Sequence, residues 1–124
     1  MNASQAQELN SRWLLRIVDL KNNVKVEATI RFTAETATES CMGGNWKRVF
    51  VETKSAHDEK FFPLAQPIAY TIQRGELIVG RTSICDGYLF LSGKPKKSSI
   101  SGSYNAVSSG TSNQLGYFSI KKIR

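Results

Sequence analysis

Val24, Val26, Ala28, Ile30 and Phe32 alternate with Lys25, Glu27, Thr29, Arg31 and Thr33. A period of two held from Val24 to Thr33 is the mark of a β-strand with one buried face, and a slip of one residue would carry its charged set into the core. The apolar stretch Trp13 to Leu20 precedes it. Between them Lys21-Asn22-Asn23 can adopt φ > 0, which predicts a hairpin.

The same rhythm returns along the chain. Trp46 to Thr53 carries Val49 and Val51 opposite Trp46 and Phe50; Ile68, Tyr70 and Ile72 alternate with Ala69, Thr71 and Gln73 before Arg74-Gly75. Glu76 to Ile84 leads into the tight-turn triplet Cys85-Asp86-Gly87, and Tyr88 to Ser92, Ser99 to Val107 and Leu115 to Ile123 complete the series. About eight short antiparallel strands predict an all-β fold, a small closed barrel or else a two-sheet sandwich. Lys54 to Pro67 is the longest irregular stretch, and Pro63 and Pro67 bar a central strand from it. Asn2 to Arg16 holds helix formers without Gly or Pro, and Ser4 before Gln7 is spaced as a capping box. Residues 1–12 therefore read as a flexible or short helical N-terminus, and residues 13–124 as one barrel domain.

A chain of 124 residues, 40% hydrophobic, is long enough for one core and neither disordered nor in need of a metal to fold. It has no apolar run of membrane-spanning length and no secretory signal at its start. Its net charge of +7 is unevenly placed. The eleven basic residues up to Asp86 face ten acidic ones, whereas Gly87 to Arg124 holds Lys94, Lys96, Lys97, Lys121, Lys122 and Arg124 and no acid at all. If the strands run up and down, the loop after the sixth strand and the end of the eighth share one end of the barrel. The two basic clusters would then meet at one rim, with Arg74 nearby.

Cys41 and Cys85 lack the spacing of a zinc or redox site. A disulfide between them would belong to an oxidising compartment, the periplasm or the cell exterior; two unpaired thiols are the alternative. The bond conflicts with the simple barrel path. On that path Cys41 follows the second strand at one end and Cys85 closes the fifth at the other.

Catalysis finds little support. His57 beside Asp58 and Glu59 reads as part of a solvated loop, and no nucleophile elbow, zinc-protease helix, phosphate loop or dinucleotide fingerprint occurs. No cofactor is implied, and the expectation is a protein that is not an enzyme. Single-stranded nucleic acid would call on the lysines together with Tyr88, Phe90, Tyr104, Tyr117 and Phe118, although these rings could equally alternate into a barrel interior. An eight-stranded barrel could also carry a small apolar ligand or lipid, with Val26, Ile30, Phe32, Tyr70, Ile72, Phe90 and Tyr104 as inward candidates.

Ser101-Gly102-Ser103-Tyr104, followed by Gly116-Tyr117-Phe118-Ser119-Ile120, resembles the terminal hairpin of small secreted bacterial β-barrels, lipocalin-like domains and periplasmic lysozyme inhibitors. Gly44-Asn45-Trp46 is similar to the G-x-W that opens lipocalins, though it stands in mid-chain. The resemblance covers under a fifth of the chain. It implies a secreted binding or inhibitor protein and assigns Ser101, Gly102 and Tyr104 to its contact surface. Many lysozymes are basic and would be repelled by this chain, so an acidic protein partner fits better. The expected contact residues are Lys94, Lys96, Lys97, Ser101, Gly102, Tyr104, Lys121, Lys122 and Arg124.

Overall fold

The computed structural model describes residues 11–37, 45–65, 67–81, 88–108 and 110–123. Cys41, Cys85, Arg124 and the first ten residues, with the expectations attached to them, lie outside the described residues. Eight strands follow in order: β1 (Arg12–Asp19), β2 (Val24–Thr36), β3 (Lys47–His57), β4 (Ile68–Gln73), β5 (Glu76–Arg81), β6 (Tyr88–Pro95), β7 (Ser99–Ser108) and β8 (Thr111–Lys122). Each pairs antiparallel with the next, and β8 returns to β1, closing the barrel. The closed barrel, and not the sandwich, is the fold.

Local chemistry explains the tight connections. Asn22 takes φ 65° in the β1–β2 turn, where the Asp19 carboxylate accepts from the backbone N–H groups of Lys21 and Asn23, both at 2.9 Å. Arg74 (φ 54°) and Gly75 (φ 77°) form the two-residue β4–β5 turn, both left-handed, as the twist of a hairpin requires.

Alternation places Trp13, Leu15, Ile17, Val26, Ile30 and Phe32 inside the barrel with Leu91, Ile100 and Ile120. Each end of this core holds a set of aromatic rings. At the end where β1 starts, Phe32 meets Trp13 and Tyr70 edge-on, at 6.1 and 4.9 Å, and Tyr70 donates to the Thr33 carbonyl at 2.7 Å. At the other end the β3–β4 loop turns Phe61, Phe62 and Leu64 inward. There Tyr104 meets both Phe rings edge-on and its hydroxyl donates to the Phe61 carbonyl. Edge-to-face rings add to the hydrophobic gain of burial.

Several positions differ from the sequence reading. β3 runs on to His57, so that His57 ends a strand, part-buried with its Nε2 3.0 Å from Glu59, and is not in a solvated loop. Lys94 and Pro95 belong to β6, leaving only Lys96 to Ser98 for the turn. β8 starts at Thr111, four residues earlier than the pattern predicts. Phe90, expected inside, faces outward: Leu89 and Leu91 take the inner positions of β6.

Candidate functional site

The up-and-down order brings the starts of β1, β3, β5 and β7 and the ends of β2, β4, β6 and β8 to one end of the barrel. Backbone hydrogen bonds tie three of these pieces into a single rim. Lys96 N–H donates to the Ser99 carbonyl at 2.8 Å, closing the β6–β7 turn; Lys122 N–H donates to the Ser98 carbonyl at 3.0 Å; Ile123 N–H donates to the Arg12 carbonyl at 2.9 Å. Lys96 and Lys97 thus sit beside Lys121 and Lys122, and Arg74 occupies the β4–β5 turn at the same end.

The lysines stand on a wall of small hydroxylic side chains. Lys94 is opposite Ser101, Ser101 is opposite Ser119, and Lys121 is opposite Ser99. Lys94, Lys96, Lys97, Lys121 and Lys122 are all exposed. Among the described residues none of the five reaches a carboxylate, while Arg12, Arg16, Arg31 and Arg48 each do. Like charges held close without counter-charges create a positive potential over the rim.

The structure separates the other expected contact residues. Ser101 is exposed and faces outward with the lysines. Gly102 faces inward, where a Cβ would stand 1.9 Å from the Ser92 carbonyl oxygen. Its missing side chain is what allows β6 and β7 to approach so closely. Tyr104 is fully buried and bonded to Phe61, so it serves the core and offers no surface to a partner. Of the five aromatics considered for base stacking, Tyr104 and Phe118 are buried, while Tyr88, Phe90 and Tyr117 face out.

A second feature escaped the sequence reading. On the outer face of the barrel, Trp46, Gln73, Glu76, Ile78, Phe90 and Asn105 line a depression of 590 Å³. Trp46 lines this outer depression yet is only 3% exposed. The available signal was Trp46 preceding an alternating strand at an outward position, which is an unusual place for a large apolar ring.

Among the described residues no helix is long and apolar enough to cross a membrane. Comparisons with protein-family models, curated proteins and solved structures found no match.

Proposed function

We propose that this chain is a non-enzymatic binding or inhibitor protein that docks an acidic protein partner on its lysine rim, outside the cytosol. One observation carries the reading: five lysines that reach no carboxylate among the described residues are gathered at one barrel end by the hydrogen bonds from Lys122 to Ser98 and from Ile123 to Arg12. Such a field steers an acidic surface into encounter and fixes its orientation. The serines between the lysines supply hydroxyls for polar contacts at low conformational cost. The aromatic rings at both ends of the interior favour the rim over a small apolar ligand inside the barrel. The resemblance to secreted lipocalin-like barrels and lysozyme inhibitors agrees with a role in binding, with Ser101 its one exposed position of the three.

The test is a comparison of the wild-type chain with the variant Lys94→Glu, Lys96→Glu, Lys97→Glu as baits in host extract, at low and raised salt. Loss of an acidic protein from the variant, and from the wild type at raised salt, is the expected result. An unchanged set of captured proteins removes the rim from the function. Capture of single-stranded nucleic acid in place of protein would transfer the rim to the competing nucleic-acid reading. Intact mass before and after alkylation, on protein from its native host, reports whether Cys41 and Cys85 are bonded and with them the compartment.

A further inference from the structure

The outer depression has a construction of its own, distant in character from the rim. Gly80 of β5 lies opposite Phe90 of β6. A Cβ on Gly80 would sit 3.0 Å from the Phe90 ring, so the ring occupies the space the glycine leaves and folds over β5. Tyr88, two residues earlier on the same face, stacks on Phe90 with centroids 5.6 Å apart and planes 21° apart. Trp46 closes the opposite flank, and Ile78 lies between. The result is an aromatic shelf whose accessible ring is Phe90, backed by Tyr88 outside the lining and by the almost wholly buried Trp46.

Planar polar groups border the shelf. Gln73 and Glu76 are paired across the β4–β5 turn and emerge side by side on the outer face. Asn105 lies opposite Phe90, and its Nδ2 donates to Ser103 Oγ at 2.8 Å, which holds the amide in place, while its Oδ1 accepts no hydrogen bond among the described residues. Ser92 and Ser112 add hydroxyls. Among the described residues, the side chains of Gln73, Arg74, Glu76, Ser92 and Ser112 enter no hydrogen bond or ion pair within the fold. Among the described lining residues, Arg74 and Glu76 are the only charged ones and offset each other, unlike the lysines of the rim.

We infer that this depression is a binding site for a neutral oligosaccharide. A sugar ring presents C–H groups on its face and hydroxyls around its edge, and an aromatic shelf bordered by a preorganised amide, a second amide, a carboxylate and hydroxyls complements both. A purely apolar ligand would leave these polar groups desolvated and unpaired, and an ion of either sign would meet one like charge, Arg74 or Glu76, beside the opposite one. The volume of 590 Å³ falls within the range of small-molecule sites, about 300–1,000 Å³.

The full chain is titrated with cellobiose, maltose, lactose and N,N′-diacetylchitobiose, following the side-chain amide resonances of Gln73 and Asn105. At least one sugar is expected to shift both saturably. Phe90→Ala and Glu76→Gln should each weaken that binding roughly tenfold or more. Because Phe90→Ala removes a ring that covers Gly80, the exposed-face change Glu76→Gln, with circular dichroism and melting unchanged, keeps the test independent of folding. The variant Lys94→Glu, Lys96→Glu, Lys97→Glu should bind sugar as the wild type does, which separates this site from the rim. The inference is overturned if no sugar shifts either amide at tens of millimolar, if Glu76→Gln and Phe90→Ala both bind as the wild type does, or if the amides respond to a short Gly/Ser peptide and to no sugar.

Discussion

The outer wall of β1–β3 and that of β6–β8 belong to one barrel and are held in different ways. On β1–β3 each arginine is answered by a carboxylate. Arg12 and Arg31 stand directly opposite each other, a repulsive arrangement by itself, and Glu52 lies between them as the shared partner of both. Arg16 pairs with the opposite Glu27 at 2.7 Å, and Ser55 donates to the same carboxyl group. On β6–β8 the outward side chains are mostly Ser, Asn and Lys beside Tyr88, Phe90 and Tyr117, and the strands approach closely at inward glycines. A Cβ on Gly93 or Gly102 would come within 2.2 or 1.9 Å of a carbonyl oxygen across the β6–β7 pair, and one on Gly116 within 1.9 Å of the Val18 carbonyl oxygen across the seam to β1. The first wall spends its four arginines on carboxylates of its own strands. On the second, the lysines reach no carboxylate among the described residues and stay available for encounter.

The sharpest way to break the comparison is Gly102→Ala. With backbone and not a flexible side chain in the way, the strands must separate, and a loss of about 3 kcal/mol or more in urea unfolding is expected. An unchanged midpoint would show that close approach does not hold the β6–β8 wall. Next in size is Glu52→Gln, which leaves Arg12 and Arg31 facing each other with their bridge discharged; a loss of about 1–2 kcal/mol is expected. Glu35→Gln, whose carboxyl is exposed and 3.5 Å from Arg48, should cost at most about 0.5 kcal/mol by the same measurement. Equal effects at the two sites would mean that the shared geometry of Glu52 confers nothing.

On the lysine side, Lys94→Glu, Lys96→Glu, Lys97→Glu should leave unfolding within about 0.5 kcal/mol of wild type, or stabilise slightly at low salt through relief of repulsion. A large loss would mean that these lysines have a structural role. The smallest effect is a pH dependence confined to the first wall and its turn. Backbone donation from Asn23 lowers the Asp19 pKa, and the hydrogen bond from Arg16 lowers that of Glu27. Carboxyls with depressed folded-state pKa values stabilise above the ordinary carboxylate range, and that contribution is lost as the pH falls through the depressed values. Unfolding midpoints should therefore drop on acidification, and Asp19→Asn should flatten the drop. A steeper acid slope in Asp19→Asn would contradict the turn's role.

Where one face is apolar and the other polar, the strands were legible. Val24 to Phe32 shows its inner face in the sequence because its outer positions are charged or hydroxylic. Tyr88-Leu89-Phe90-Leu91 is apolar at every position, so nothing in the pattern says which half is inside. Register decided it: Phe90 lies opposite Gly80 and Asn105, both on the outer face. Thr111 to Gln114 has no apolar residue, and its strand exists because β7 offers it a hydrogen-bonding partner at Ser108, Val107, Ala106 and Asn105. The basic cluster was legible as composition, whereas the burial of Tyr104 was not, since a tyrosine suits a core and a contact surface equally well.

The sequence by itself determined an antiparallel β protein with its excess positive charge in the last third, because alternation and charge are properties of neighbours along the chain. Only the tertiary structure decided that the barrel closes, that Lys94, Lys96 and Lys97 lie at the same rim as Lys121 and Lys122, that Gly102 and Tyr104 turn inward, and that Trp46 and Phe90 border a depression on the outside. Each of these depends on which strand lies beside which, and in what register. Those pairings join residues far apart in the chain, where no local pattern reaches.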